Sequence, residues 1–258
     1  MINKQKLYSM TLVSAAIILM LASIVGAAPY AYITNSVSSN VSVIDTATNQ
    51  VTATVDVGSY PYGVAITPDG TKIYVANSDN PGIVSVISTI TNQVVATVPV
   101  GQYPYGVAAT PCGTKVYVTG GYDSGQVSVI DTVTNQVAAM VNVGKAPTGI
   151  AVTPDGTKVY VANDGNSNVS VINTATDQVI AIVPVGNASQ GVAISLDGTK
   201  VYVANNKDGT VFVIDTTTNT VTTVNVGKYP NGVAVTPRWN KSICSELKLW
   251  PRWHRFCN

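Results

Sequence analysis

The chain has 258 residues, only 10% of them charged, and a formal net charge of +1. That balance excludes the clustered basic footprint of a nucleic-acid binder. A hydrophobic share of 46% excludes a disordered chain, and the length is enough to bury one sizeable core.

The first residues stand apart. Lys4 and Lys6 precede an apolar run from about Met10 to Val25, followed by Gly26, Ala27 and Ala28. This three-part layout reads as a secretory signal over residues 1–27, with cleavage expected after Ala27. The alternative is an uncleaved N-terminal anchor, since the run approaches spanning length. On either reading the chain is exported, to the cell surface or the extracellular space. Its only expected link to a membrane is through that segment.

Strands are expected next at Tyr30–Asn35, Val41–Asp45 and Val51–Val57. A phrase then recurs: Val-Gly, two or three residues, often Pro, then Gly-Val-Ala. It begins at Val57, Val100, Val143, Val185 and Val226, at spacings of 43, 43, 42 and 41 residues. Within the first unit, a short apolar strand (Gly63 to Thr67) meets the turn Pro68-Asp69-Gly70-Thr71-Lys72. The strand Ile73-Tyr74-Val75-Ala76-Asn77 follows, then a polar loop, Val84 to Ile87, a Thr/Asn turn and Gln93 to Val98. Asp-Gly between apolar runs signals a tight hairpin, and the near-alternation of Val-Ser-Val-Ile suits a half-buried strand.

Four strands every 40-odd residues is the signature of propeller blades. The expected architecture of residues 28–237 is an all-β propeller of five blades. Four are complete. The fifth is closed by the three N-terminal strands and a last strand at Gly232–Thr236, an exchange that would hide exposed sheet edges.

The phrases Tyr117-Val118-Thr119-Gly120, Tyr160-Val161-Ala162-Asn163 and Tyr202-Val203-Ala204-Asn205, with the preceding Asp-Gly-Thr-Lys turns or variants of them, carry a resemblance. Across residues 30–237 the chain resembles the YVTN-repeat β-propellers. That family is similar to surface-layer proteins of methanogenic archaea and related in fold to lactonase-type propellers. The archaeal surface examples are seven-bladed, and this chain counts to five.

The acid and base inventory is thin. The repeats contain no Glu, His or Arg, and their acids recur at fixed positions: Asp69, Asp155 and Asp197 in the Asp-Gly turns, Asp45, Asp131 and Asp215 after Val-Ile. A side chain that recurs in several blades is expected to build each turn rather than to catalyse once per molecule. Cys112 takes the turn position of Asp in one unit. The first strands, such as Gly-Val-Ala-Ile, offer nothing that titrates. Asp164-Gly165-Asn166-Ser167-Asn168 has a faint look of a calcium loop but lacks its distal Glu. No catalytic residue, metal ligand or cofactor is therefore expected, and the chain reads as a non-enzyme.

The variable loops are richer. The loop leading into each blade and the loop between its second and third strands share one face of a propeller. They hold Tyr60, Tyr62, Tyr103, Tyr105 and Tyr229, together with Asp79, Tyr122, Asp123, Asp164, Asn166 and Asn206. Tyr with Asn is typical of adaptable binding surfaces. The alternative is that these tyrosines only pack the tops of the blades. Asn40, Asn168 and Asn187 match the glycosylation pattern. Three functions follow: a cell-surface or secreted scaffold and interaction module whose partners are other surface proteins or glycans, a lactonase-like hydrolase implied by the resemblance, and a glycan-binding lectin.

Residues 238–258 break the pattern. All three Trp, all three Arg, the only His (His254) and the only Glu (Glu246) of the chain lie there. One added base before a permissible coding of Asp-Gly-Thr-Lys-Val-Tyr-Val-Ala-Asn converts it to Arg-Trp-Asn-Lys-Ser-Ile-Cys-Ser-Glu, the residues Arg238 to Glu246. A permissible coding of Trp253 to Asn258, read in the original frame, can give Gly-Thr-Val-Phe-Val-Ile, the phrase at Gly209 to Ile214. The tail reads as a frameshifted blade, so Cys244, Cys257 and His254 are expected to have no metal or catalytic role. The alternative is an evolved basic aromatic tail.

Overall fold

A computed structural model describes residues 30–236. The expected signal segment at residues 1–27 and the frameshifted tail at residues 238–258 lie outside the described residues. The described chain is all-β apart from one 3-10 turn at Asp164–Asn166.

Five antiparallel sheets follow one another as blades. Blade 1 has three strands, β1 (Tyr30–Asn35), β2 (Asn40–Asp45) and β3 (Gln50–Asp56). Blade 2 has β4 (Pro61–Ile66), β5 (Lys72–Asn77), β6 (Ile83–Ser88) and β7 (Gln93–Pro99). Blade 3 has β8 (Val107–Ala109), β9 (Lys115–Gly120), β10 (Gln126–Asp131) and β11 (Gln136–Asn142). Blade 4 has β12 (Pro147–Val152), β13 (Lys158–Asn163), β14 (Asn168–Asn173) and β15 (Gln178–Pro184). Blade 5 has β16 (Ser189–Ile194), β17 (Lys200–Asn205), β18 (Thr210–Asp215) and β19 (Val221–Asn225). Each sheet is paired in sequence order, so neighbouring strands are joined by hairpins.

The five-blade propeller expected from the repeat is the observed fold, with one difference in how its ends meet. Residues 232–236 form no ladder with β1. They lie instead beside β16, where Gly191 packs against Asn231 and Gly232. That is the place of the next blade's first strand. The same glycine-to-backbone approach sets the spacing of every earlier pair of first strands, and here it holds the segment to blade 5.

The core lies between blades. Tyr160, Ala162, Val169, Val171 and Val183 of blade 4 pack against Val201, Val203 and Ile214 of blade 5, and the other junctions repeat this. In blades 2 to 4 the second and third strands are covered on both faces, which explains their nearly unbroken apolar runs. Fourth strands form the outer rim and alternate in exposure. Burying one valine such as Val161 contributes about 1.5–3 kcal/mol.

Local chemistry explains the invariant phrases. In the first hairpin Asp69 Oδ1 accepts from Thr67 Oγ1 at 2.5 Å and from Thr71 N at 3.1 Å, while Gly70 takes φ +70°. Asp155 and Asp197 repeat this. Asp45, Asp131 and Asp215 accept from two backbone N–H groups in the second turn of each blade. The hydrogen bonds hold the carboxyls of Asp69, Asp131, Asp155, Asp197 and Asp215 below the usual range, Asp197 to about 2. Cys112 adopts the same geometry, with its thiol 3.5 Å from Thr110 Oγ1 and 3.2 Å from Thr114 Oγ1.

Two further regularities join blades. Tyr74 donates to Asn135 Oδ1 of the next blade at 2.8 Å, and Lys72 Nζ donates to Thr132 O at 2.6 Å. Tyr117 and Lys115 reach Asp177 and Thr174 in the same way. A bulge also recurs between third and fourth strands, leaving Thr52, Val95, Ala138 and Ile180 unpaired. Blade 5 has no register shift there. Its unit is the shortest, 41 residues, and the missing residue is the bulge.

Candidate functional site

Backbone hydrogen bonds tie neighbouring loops among those named from sequence. Ser78 N donates to Tyr60 O at 2.9 Å, joining the leading loop of blade 2 to its upper loop. Tyr103 N donates to Asp79 O at 2.9 Å and Ala146 N to Tyr122 O at 2.8 Å, which links each leading loop to the upper loop of the preceding blade. Tyr60, Tyr103 and Tyr229 take φ of +51°, +48° and +56°, and so do not extend the strands that follow. All three side chains are exposed.

Tyr62 and Tyr105 pair across the junction of blades 2 and 3. Their rings stack with centroids 5.0 Å apart and planes 26° apart. Both remain nearly half exposed, and Tyr62 O accepts from Thr34 Oγ1 at 2.8 Å. Stacking from adjacent blades pre-orders two aromatic faces beside the first strands of blades 2 and 3.

The polar residues divide by how far they are committed. Asn166 Oδ1 accepts from Lys145 N at 2.5 Å, and Asn206 donates to Asn231 Oδ1 and to Pro230 O, so both brace leading loops. Asp79 accepts from Asn80 N at 2.8 Å. Asp123 is exposed and its side chain forms no hydrogen bond among the described residues. Asp164 is half-buried at the start of the 3-10 turn. Among the described residues, no three His, Cys, Asp or Glu side chains come together.

Of the glycosylation candidates, Asn40 and Asn168 begin β2 and β14, half-buried, and accept from Asn35 and Asn163. Asn187 is exposed, but its amide donates to Asp208 at 3.0 and 3.3 Å. Asp208 also accepts from Asn187 N at 2.7 Å, and these bonds hold its carboxyl below the usual range.

Sequence reasoning missed that clamp, and it missed the reason for the Asn closing each second strand. Asn77, Asn163 and Asn205 are fully buried. A Cβ on Gly58, Gly144 or Gly186 would stand within 2.9 Å of them. The Val-Gly and the Asn of each unit therefore fit one another, and blade 3, with Gly120 at the Asn position, is the exception. The co-occurrence of Val-Gly and Tyr-Val-Ala-Asn in three units was the available signal.

The fold and its face define a β-propeller. No family model and no curated protein matches the chain. Among solved structures it is similar to Kuenenia stuttgartiensis hydrazine synthase, with a TM-score of 0.69 at 24% identity, covering 78% of this chain and 64% of that one. It is similar to a functionally unknown protein from Desulfotomaculum acetoxidans, with a TM-score of 0.72 at 16% identity and coverages of 80% and 69%. It is also similar to the dihydro-heme d1 dehydrogenase NirN in complex with DHE, with a TM-score of 0.65 at 16% identity and coverages of 79% and 45%. The chain thus spans less than two thirds of the hydrazine synthase and dehydrogenase chains. These likenesses concern the fold.

They also correct one expectation. The chain reads from sequence as a non-enzyme because its repeats are poor in titratable groups. Two of these neighbours are enzymes on the same scaffold. A propeller whose repeated turns carry only structural carboxylates is no argument against catalysis, because function on a shared fold is set by individual sites.

Proposed function

We propose that the chain is an exported, cell-surface or secreted propeller of the YVTN-repeat kind, a scaffold whose tyrosine face engages other surface proteins or glycans. The observation that carries this reading is the stacked, half-exposed pair Tyr62 and Tyr105, with Tyr60 and Tyr103 exposed beside it. Tyrosine gives a large, rigid contact area at small conformational cost and keeps a hydroxyl for hydrogen bonding. The lysines and apolar run at the N-terminus support export, and the recurring Tyr-Val-Ala-Asn and Asp-Gly-Thr-Lys phrases support the family reading.

The test joins location to binding. Producing cells are fractionated, and the purified chain is applied to a glycan array and to immobilised surface proteins of the same cells. The expected result is chain in the envelope or the medium that binds a defined glycan class or surface protein. Retention in the cytoplasm, with no binding on either support, would defeat the reading.

A further inference from the structure

Exposed aromatic rings and exposed charges are unevenly shared among the leading and upper loops. In blades 2 and 3 these loops and the strand starts beside them hold Tyr60, Tyr62, Tyr103, Tyr105 and Tyr122, all between 44% and 74% exposed. They also hold Asp79 and Asp123, both exposed, and no lysine or arginine. In blades 4 and 5 the leading loops place Ala146 and Ala188 where blades 2 and 3 have Tyr60 and Tyr103, all four with positive φ. Exposed lysines stand there instead: Lys145 before blade 4, Lys207 in the upper loop of blade 5 and Lys228 after it.

The upper-loop carboxylates divide along the same line. Asp208 is bonded to the backbone and amide of Asn187, and Asp164 is half-buried. Asp123 forms no side-chain hydrogen bond among the described residues, and Asp79 accepts from the N–H of its neighbour Asn80. The two exposed carboxylates with charge to spare therefore lie on the side that carries the tyrosines.

The loops on that side are contiguous. The bond from Tyr103 N to Asp79 O ties the leading loop of blade 3 to the upper loop of blade 2. Gly121 N donates to Gln102 O at 2.6 Å, tying the same loop to the upper loop of blade 3. A Cβ on Gly82 would stand 2.3 Å from Pro104, so the loops pack without a gap. First strands β1 and β12 flank β4 and β8 on either side, so the patch has described neighbours at both ends. Stacking of Tyr62 on Tyr105 occupies one face of each ring and leaves the rest half exposed.

A tyrosine ring carries negative potential on its face and attracts cations. The planar guanidinium stacks on such a ring and still pairs with a carboxylate. Aromatic rings beside two free carboxylates, with no competing lysine, make a surface complementary to positive charge. Asp79 and Asp123 stand on loops of different blades, so a ligand that uses both is extended and carries more than one cation. We infer that the tyrosine side of blades 2 and 3 binds an arginine-rich segment of a partner protein. Its guanidinium groups lie against Tyr62 and Tyr105 and pair with Asp79 and Asp123. This rests on the reading of these tyrosines as a contact surface, and it names the chemistry of the partner.

The experiment is fluorescence anisotropy of a labelled Arg-Gly-Ser repeat peptide with the full chain, beside the same peptide carrying Gln at every Arg. The Arg peptide is expected to bind at about 0.15 M salt, more tightly at lower salt, and the Gln peptide not to bind. Tyr62→Leu with Tyr105→Leu, and Asp79→Asn with Asp123→Asn, are each expected to weaken binding about fivefold. Circular dichroism checks that these variants keep the β spectrum of the wild type. Lys145→Gln with Lys228→Gln makes the chain more negative outside the patch and is expected to leave binding unchanged. The inference is overturned if the Arg peptide does not bind, if the Gln peptide binds equally, or if either patch variant binds as the wild type does. Tighter binding by the lysine variant also overturns it, since the peptide then answers to net charge alone. A chain that ignores the Arg peptide but holds a neutral glycan through Tyr62 and Tyr105 overturns this inference and leaves the proposed function standing.

Discussion

Gly149 of blade 4 lies against the carbonyl oxygen of Gln190 of blade 5, so close that a Cβ on the glycine would stand 1.9 Å from it. Gly63 stands so to Tyr105, Gly106 to Thr148 and Gly191 to Asn231, at 2.1, 2.3 and 2.4 Å. None of these glycines is left-handed, so close approach rather than backbone freedom requires them. Gly149→Ala is expected to cost about 3 kcal/mol or more in urea unfolding, since backbone must shift. Gly232→Ala, with nothing within 4 Å, is expected to stay within about 0.5 kcal/mol of wild type. Equal losses would remove close approach as the cause.

Tyr117 and Tyr160 occupy one repeat position with different partners. Tyr117 donates to Asp177 at 2.8 Å, while the buried Tyr160 hydroxyl has no partner among the described residues. Tyr117→Phe is expected to cost about 1.5–3 kcal/mol, the range for a hydrogen bond to a charged group. Tyr160→Phe removes an unsatisfied group and is expected to be neutral or stabilising. Chemical denaturation of the two variants side by side decides the point.

Alkaline stability should follow the buried tyrosines. Burial, with nearby carboxylates adding to it, pushes Tyr74 and Tyr160 from 10.0 up to about 12. A raised folded pKa favours the protonated form, so the contribution is whole below pH 10 and is lost as pH rises through about 12. Unfolding followed by tyrosinate absorbance should be cooperative in that window. Tyr74→Phe and Tyr160→Phe together should move it to higher pH, and an unmoved midpoint would reassign the transition.

The tyrosine face and the core should separate by mutation. Tyr62→Ala with Tyr105→Ala is expected to weaken binding of whichever glycan or surface protein the arrays return, with less than about 1 kcal/mol lost in stability. Val161→Ala is expected to cost about 2 kcal/mol through the cavity it leaves. Unfolding by the tyrosine pair as readily as by the valine would make these rings packing residues.

Much of the fold was legible because its signals are local. Asp-Gly turns, alternation in the outer strands and the spacing of Val-Gly place nearly every strand within a residue or two. Relations across a junction were not legible. Val64 lies in the short apolar strand Gly63 to Thr67, yet it is 36% exposed, because among the described residues blade 1 presents no first strand to cover it. Tyr74 reads as a strand residue, and its bond to Asn135 spans 61 residues. The tyrosines of the face could be located from loop order, but the stacking of Tyr62 on Tyr105 depends on the distance between blades, which no single repeat encodes.

That long-range bond has a consequence for how such chains change in length. Tyr74 and Lys72 belong to one unit, while Asn135 and Thr132 that receive them belong to the next. The self-sufficient element is therefore two facing halves of adjacent repeats. Duplicating or deleting a whole unit sets a tyrosine against a left-handed turn residue again, whereas a single altered residue at a junction is felt in two blades. A lineage of these proteins is free to gain or lose blades by recombination within the repeats, and is constrained far more tightly in what it can substitute.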